Sequence, residues 1–114
     1  MLTITPENID GVLILKFTGR FEFVSRKVFW EAFKKVQETP NRHVIMDLEH
    51  VPFVDSSAIG LLALTHQNLK LQNVHLSIAN PQEPVKKVLD LANFSKFIPM
   101  YSSLQEAMRS TVLV

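Results

Sequence analysis

The sequence predicts an α/β fold: a mixed, mostly parallel sheet of four to five strands with helices packed on it, in the order ββαβαβαβα. Three observations carry this. Short apolar runs alternate with stretches whose apolar residues recur at helical spacing. The dipeptide Asp10-Gly11 lies between the first two runs, as expected of an antiparallel hairpin. The run over residues 43–48 is apolar with little alternation, as in a central strand covered on both faces of a parallel sheet. With 114 residues, of which 46% are apolar and 20% charged, the chain has the length for one domain, over 1–114, and the composition to bury a core.

The elements follow in order. Strands are expected over 2–4 and 11–18, joined by a turn across 7–11. A helix is expected over 25–38, because Val28, Phe29, Ala32, Phe33 and Val36 fall on one face, with Ser25 as N-cap and Thr39-Pro40 as a stop. After the strand over 43–48, a second helix runs from 56 to 70. Its first half should be buried, since Ala58, Ile59, Leu61, Leu62, Ala63 and Leu64 are too dense for a surface stripe. A strand over 74–79 follows. Asn80-Pro81-Gln82-Glu83 then combines an N-cap Asn, a Pro at the first helical position and a Glu three residues after the cap. The third helix turns Val85, Val88, Leu89 and Ala92 inward. A short strand over 97–100 is assigned to an edge by Pro99, and Ser103-Leu104-Gln105-Glu106 is a capping box opening a last helix through Met108.

Composition removes several classes of function. A net charge of +1 without a basic run argues against nucleic acid as a partner. The absence of cysteine excludes disulfides, thiolate metal sites and cysteine nucleophiles. No apolar run approaches the roughly 20 residues of a membrane helix, and the start lacks a signal peptide's basic and apolar regions, so a cytoplasmic protein without membrane insertion is expected. His43, His50, His66 and His75 are scattered without metal-ligand spacing. Only three glycines are present, and neither nucleotide-binding glycine motif occurs, so no metal or cofactor is expected. A receiver domain has similar alternation, but the acidic pair it needs after the first strand is missing, and Asp47 lies inside its strand.

In a sheet of this kind, sites lie in the loops that leave the carboxyl ends of the strands, here 19–24, 49–57 and 80–84. The segment over 51–60 stands out, because Asp55, Ser56 and Ser57 open a helix. Asp55 or Ser56 is the N-cap. The plain reading is a capping role worth about 1 kcal/mol. The functional reading starts from the same geometry: a helix start favours a phosphate, and a modified Ser56 would change the charge of a nearly neutral surface. Ser56 as a catalytic nucleophile lacks both a G-x-S-x-G elbow and a spaced histidine partner. Phe21 and Phe23 have the core as their default place, yet beside this loop they would also make a partner patch.

The stretch Phe53-Val54-Asp55-Ser56-Ser57-Ala58-Ile59-Gly60 resembles the STAS domain of bacterial anti-sigma factor antagonists. That family's hallmark is an Asp-Ser-Ser/Thr-Gly-Leu-Gly stretch opening the helix after a central strand. Gly19-Arg20-Phe21-Glu22 resembles the family's Gly-x-aliphatic-Asp turn, and Asn80-Pro81 its polar turn before the third helix. The element order agrees over residues 2–110. Ala58 stands where the family usually has Gly, Glu22 where it has Asp, and Arg20 where sporulation-type members are often acidic.

The resemblance implies a STAS-like fold and a switch without catalysis of its own. An anti-sigma factor that doubles as a serine kinase would phosphorylate Ser56. The unphosphorylated form would bind that kinase and free the sigma factor, and a serine phosphatase of the metal-dependent class would restore it. Arg20, Phe21, Glu22, Phe23, Phe53, Asp55, Ser56, Ser57 and Asn80 are the expected partner contacts, on a monomer or weak dimer. The alternative is a STAS module of a lipid-transport or signalling complex that binds without phosphorylation, where Ser56 and Ser57 are only caps and contact groups.

Overall fold

Ile9 and Val12 pair across the two-residue turn Asp10-Gly11, whose residues both take positive φ, 51° and 79°. This is the turn geometry whose twist matches that of the flanking strands, and it fixes the register of the first hairpin. In the computed structural model, which describes residues 1–38 and 41–112, that hairpin is β1 (Thr3–Ile9) and β2 (Val12–Thr18). β1 is longer than the expected 2–4. Pro6 does not end it, because β1 is the outer strand of the sheet and needs only one bonded edge.

The remaining elements are α1 (Arg26–Glu38), β3 (His43–His50), α2 (Ser56–Leu71), β4 (His75–Ala79), α3 (Glu83–Leu91), β5 (Met100–Tyr101) and α4 (Leu104–Thr111). The five strands form one sheet in the order β1-β2-β3-β4-β5, with β1 antiparallel to β2 and every other pair parallel. The expected mixed sheet and element order are therefore observed.

Alternate strand residues separate two cores. Leu13, Leu15, Phe17, Val44, Met46, Leu48, Leu76 and Ile78 pack against buried residues of α1, α2 and α3. Val12, Ile14, Ile45 and Ala79 form a smaller cluster on the other face with Ala107, Leu104 and Met108 of α4. β3 is buried from Val44 through Leu48, as expected of a strand covered on both sides.

Several local expectations need correction. Ser25 is not the N-cap of a helix. It closes a 3-10 turn, Phe23–Ser25, that precedes α1, and its buried hydroxyl bonds back into the preceding loop. The expected stop at Thr39-Pro40 lies outside the described residues. Only Ala58, Leu62, Thr65 and Leu69 of α2 are fully buried, one stripe at helical spacing, while Leu64 is half-exposed; the first half of α2 is not enclosed. Asn80 does not cap α3. The helix starts three residues later, after Gln82, with Pro84 in its first turn, because Asn80 takes a left-handed conformation (φ 56°) and leads the chain away from the strand. The expected strand over 97–100 shifts to Met100–Tyr101, because the Phe97 and Ile98 N–H groups still bond back to the Phe94 carbonyl and pairing with β4 begins only at Met100. Ser103 caps α4 by accepting from the Glu106 N–H at 3.1 Å, and the Glu106 carboxylate takes the Ser102 hydroxyl.

Candidate functional site

β2 and β3 are parallel neighbours, so the loops leaving their carboxyl ends start side by side. Those loops continue the pairing beyond the strands. The Gly19 N–H donates to the His50 carbonyl (3.0 Å), Phe21 N–H to the Phe53 carbonyl (3.0 Å), and Asp55 N–H to the Phe21 carbonyl (3.3 Å). Phe21 and Val54 thereby form an isolated parallel bridge. Gly19 is required where this extension begins: its φ is +107°, and a Cβ there would run into the Met1 carbonyl.

Asp55 is the N-cap of α2 and ties the two loops together. One carboxylate oxygen accepts from Ala58 N–H at 2.9 Å, and the other accepts from Phe23 N–H at 3.1 Å. Both oxygens are thus engaged within the chain, which settles the choice between Asp55 and Ser56 as cap. Ser56 follows as the first residue of α2. It is exposed, and its hydroxyl makes no hydrogen bond among the described residues; Ser57 beside it is half-buried.

Two guanidinium–aromatic pairs flank this start. Arg20 lies 4.1 Å above the Phe53 ring and pairs with Glu22 through Nε at 2.6 Å. Arg26 lies 4.0 Å above the Phe23 ring, and its Nη1 donates to the Phe23 carbonyl at 3.1 Å. Phe23 is 54% exposed and Phe53 38%. Phe21, in contrast, is completely buried, stacked on Phe29 at 5.2 Å and tilted against Phe17 at 5.5 Å. The expectation that its side chain contacts a partner is corrected: Phe21 anchors the loop from beneath, and its backbone carries the bridge to Val54. Ser25 completes the support, accepting from Glu22 N–H (3.2 Å) and donating to the Arg20 carbonyl (3.0 Å).

The third loop is wired to the end of β3. Asn80 Nδ2 donates to Asp47 Oδ1 at 3.2 Å, and that same oxygen accepts from Glu49 N–H at 3.1 Å. Gln82 Nε2 donates to the Glu49 carbonyl at 2.7 Å. Asn80 is half-buried, and these bonds place it in a supporting position behind the strand end. Sequence reasoning missed Asp47, Gln82 and Arg26 as parts of this arrangement. Asp47 carried a usable signal, a lone charge within the apolar run Val44-Ile45-Met46-Asp47-Leu48, since a buried carboxylate needs partners. Arg26 and Gln82 gave none, because ordinary surface polar residues look the same.

Chemically, the arrangement offers an exposed, unbonded hydroxyl at a helix start, on loops tied together by backbone hydrogen bonds that also carry the part-exposed rings of Phe23 and Phe53. Among the described residues no group of three or more metal-ligating side chains exists, and no helix is long and apolar enough to cross a membrane.

Comparison with known proteins agrees with this picture. A STAS-domain containing protein of Pseudomonas aeruginosa is 34% identical over 95 residues, covering 83% of this chain and 93% of its own. The anti-sigma F factor antagonist of Paenibacillus polymyxa is 24% identical over 114 residues, covering 99% and 97%. Among solved structures, the anti-sigma factor antagonist SpoIIAA in its unphosphorylated form superposes with a TM-score of 0.81 at 17% identity, over 98% of each chain. The Bacillus SpoIIAA structure in the phosphorylated form gives 0.73 at 16% identity, over 96% and 99%. The STAS domain family model matches residues 3–107, nearly the whole length. The chain therefore belongs to the STAS domain family.

Proposed function

We propose that this STAS domain is an anti-sigma factor antagonist that works as a phosphorylation-controlled interaction switch, with Ser56 as the phosphorylated residue and no catalysis of its own. The observation that carries this reading is the position of Ser56: exposed, unbonded, and first in α2, while the neighbouring Asp55 is committed to holding the frame. The name of the Paenibacillus relative and the phosphorylated form of SpoIIAA point the same way.

The mechanism is electrostatic and steric. A phosphate adds about −1.5 to −2 charges at neutral pH and three acceptor oxygens. The chain's formal net charge is only +1, so modification at Ser56 would reverse the sign of the net charge and add its negative charge at one loop. The α2 N-terminus would accept the phosphate locally, while the Asp55 carboxylate beside it would repel it. A partner shaped around a neutral hydroxyl would then meet charge and bulk it cannot bury.

In the unphosphorylated state, the exposed rings of Phe23 and Phe53, each under a guanidinium, provide the aromatic and arginine anchors typical of interface hot spots. Ser57 and Glu22 complete the proposed contact region, and Asn80 supports it from behind the end of β3. The partner is an anti-sigma factor with serine kinase activity, which brings ATP and magnesium, and a metal-dependent serine phosphatase resets the switch.

The test is intact-mass analysis after incubation with ATP, magnesium and the cognate anti-sigma kinase, followed by site mapping. One phosphate on Ser56, absent from Ser56→Ala, is the expected result. A stable complex with no phosphate transfer would move the protein to the STAS modules that bind without modification.

A further inference from the structure

Two guanidinium groups stand on the proposed docking surface, and they are not equivalent. Glu22 closes the Nε of Arg20 at 2.6 Å, so that charge is matched within its own loop. Arg26 has no ion pair among the described residues. It is exposed, with its guanidinium over the Phe23 ring and its Nη1 donating to the Phe23 carbonyl at 3.1 Å. Its Nε and Nη2 make no hydrogen bond among the described residues. The neighbouring carboxylates are engaged elsewhere: Glu22 by Arg20, and Asp55 by the Ala58 and Phe23 N–H groups.

Helix stability does not account for a cation at this place. Arg26 and Lys27 open α1, whose first turn has no acidic residue. Basic side chains there oppose the positive end of the helix dipole. A local rule broken with no compensating ion pair inside the chain is the mark of a position that serves an outside contact.

The surroundings indicate the kind of contact. Trp30 follows Arg26 by four residues, one turn along the same side of α1. Its ring meets the buried Phe29 edge-on at 5.6 Å and stays 38% exposed. The guanidinium thus touches one exposed ring and has a second a turn away, while its Nε and Nη2 form the edge that matches the two oxygens of a carboxylate. The Phe23 N–H bonds Asp55, the residue before Ser56, so the Arg26–Phe23 pair stands beside the helix start that carries the switch.

We propose that Arg26 sets the choice of partner: its Nε and Nη2 take a carboxylate, so the docking segment of the anti-sigma factor presents an Asp or Glu flanked by apolar side chains that cover Phe23 and Trp30. This inference rests on the switch reading and adds to it the charge the partner must carry. A phosphate on Ser56 then opposes docking in a second way, by facing the partner's carboxylate with like charge.

The test is calorimetric binding of the anti-sigma kinase to the full chain and to Arg26→Gln, Arg26→Lys and Arg26→Glu, at low and at physiological salt, with Ser56→Asp measured alongside. Arg26→Gln should bind about tenfold more weakly and lose most of the salt dependence. Arg26→Lys, which keeps the charge without the planar fork, should fall between the two. Arg26→Glu should bind about a hundredfold more weakly, yet unfold in urea at nearly the midpoint of the unmodified chain, which separates a contact from a structural role. Changing one carboxylate of the kinase to Lys should restore its binding. If Ser56→Asp weakens binding while Arg26→Gln and Arg26→Glu bind like the unmodified chain, the switch stands and this inference falls. If the unmodified chain forms no complex with the kinase, the switch reading falls and this inference with it.

Discussion

The two ends of the parallel strands handle charge in opposite ways. Where β2, β3 and β4 end, nearly every polar group is already spoken for: Asp47 by Asn80 and Glu49, Asp55 by Phe23 and Ala58, Arg20 by Glu22, Gln82 by the Glu49 carbonyl. Where β3 and β4 begin, His43 and His75 stack on each other, and no carboxylate of the described residues lines the open pocket beside them. The first end is tied together by hydrogen bonds and one ion pair, so a phosphate added at Ser56 would dominate its electrostatics. At the second, burial lowers the pKa of His43, so that ring takes up its proton only on stronger acidification.

The largest expected effect tests the frame of the switch end. Phe21→Ala should cost about 3–5 kcal/mol of stability in urea denaturation, because a stacked, fully buried ring leaves a cavity. Its neighbour Phe23→Ala should change stability by less than about 0.5 kcal/mol. It should instead weaken partner binding by about 1–2 kcal/mol, measured by calorimetry. Equal stability costs for the two would erase the distinction between anchor and contact.

Asp55→Ala should come next, at about 1–2 kcal/mol for the lost cap, with additional loosening of the 19–24 loop seen as faster amide exchange at Phe23. Ser56→Ala should be nearly neutral for folding. A site touching neither end provides the control: Thr65 is buried on α2 with an unpartnered hydroxyl, and Thr65→Val should stabilise by about 1 kcal/mol in the same denaturation assay.

The smallest effect belongs to the basic end. His43 and His66 titrate below their ordinary value of 6.5. Well above that pH both rings are neutral whether the chain is folded or not, and they contribute no slope. As the pH falls through 6.5, the unfolded chain takes up protons that the folded chain resists, so stability declines on acidification. Urea midpoints measured on either side of that value should show the decline. His43→Gln/His66→Gln should flatten it.

Much of this was legible in the sequence because it rests on local physics. Asp10-Gly11 fixes a two-residue turn through positive φ, the unbroken apolar run of β3 reports cover on both faces, and Asp55 before a helical pattern reports a cap. The errors share a cause: tertiary pairing overrode a local signal. Pro6 looked like a strand end because nothing in the sequence says that β1 is outermost. Asn80-Pro81 looked like a helix start, but Asn80 turns into a left-handed conformation and bonds Asp47, 33 residues away. Phe21 and Phe23 are indistinguishable by type and spacing, and only the bridge from Phe21 to Val54 shows which ring faces inward. The stacking of His43 on His75 was invisible for the same reason, since it depends on the register between β3 and β4.

The most direct test of the switch is a calorimetric comparison of Ser56→Ala and Ser56→Asp binding to the anti-sigma kinase. The account predicts that Ser56→Ala binds like the unmodified protein, while Ser56→Asp binds at least about tenfold more weakly, a difference of about 1.4 kcal/mol. Equal affinities for both variants and the unmodified chain would contradict it, because charge at the start of α2 would then have no bearing on docking.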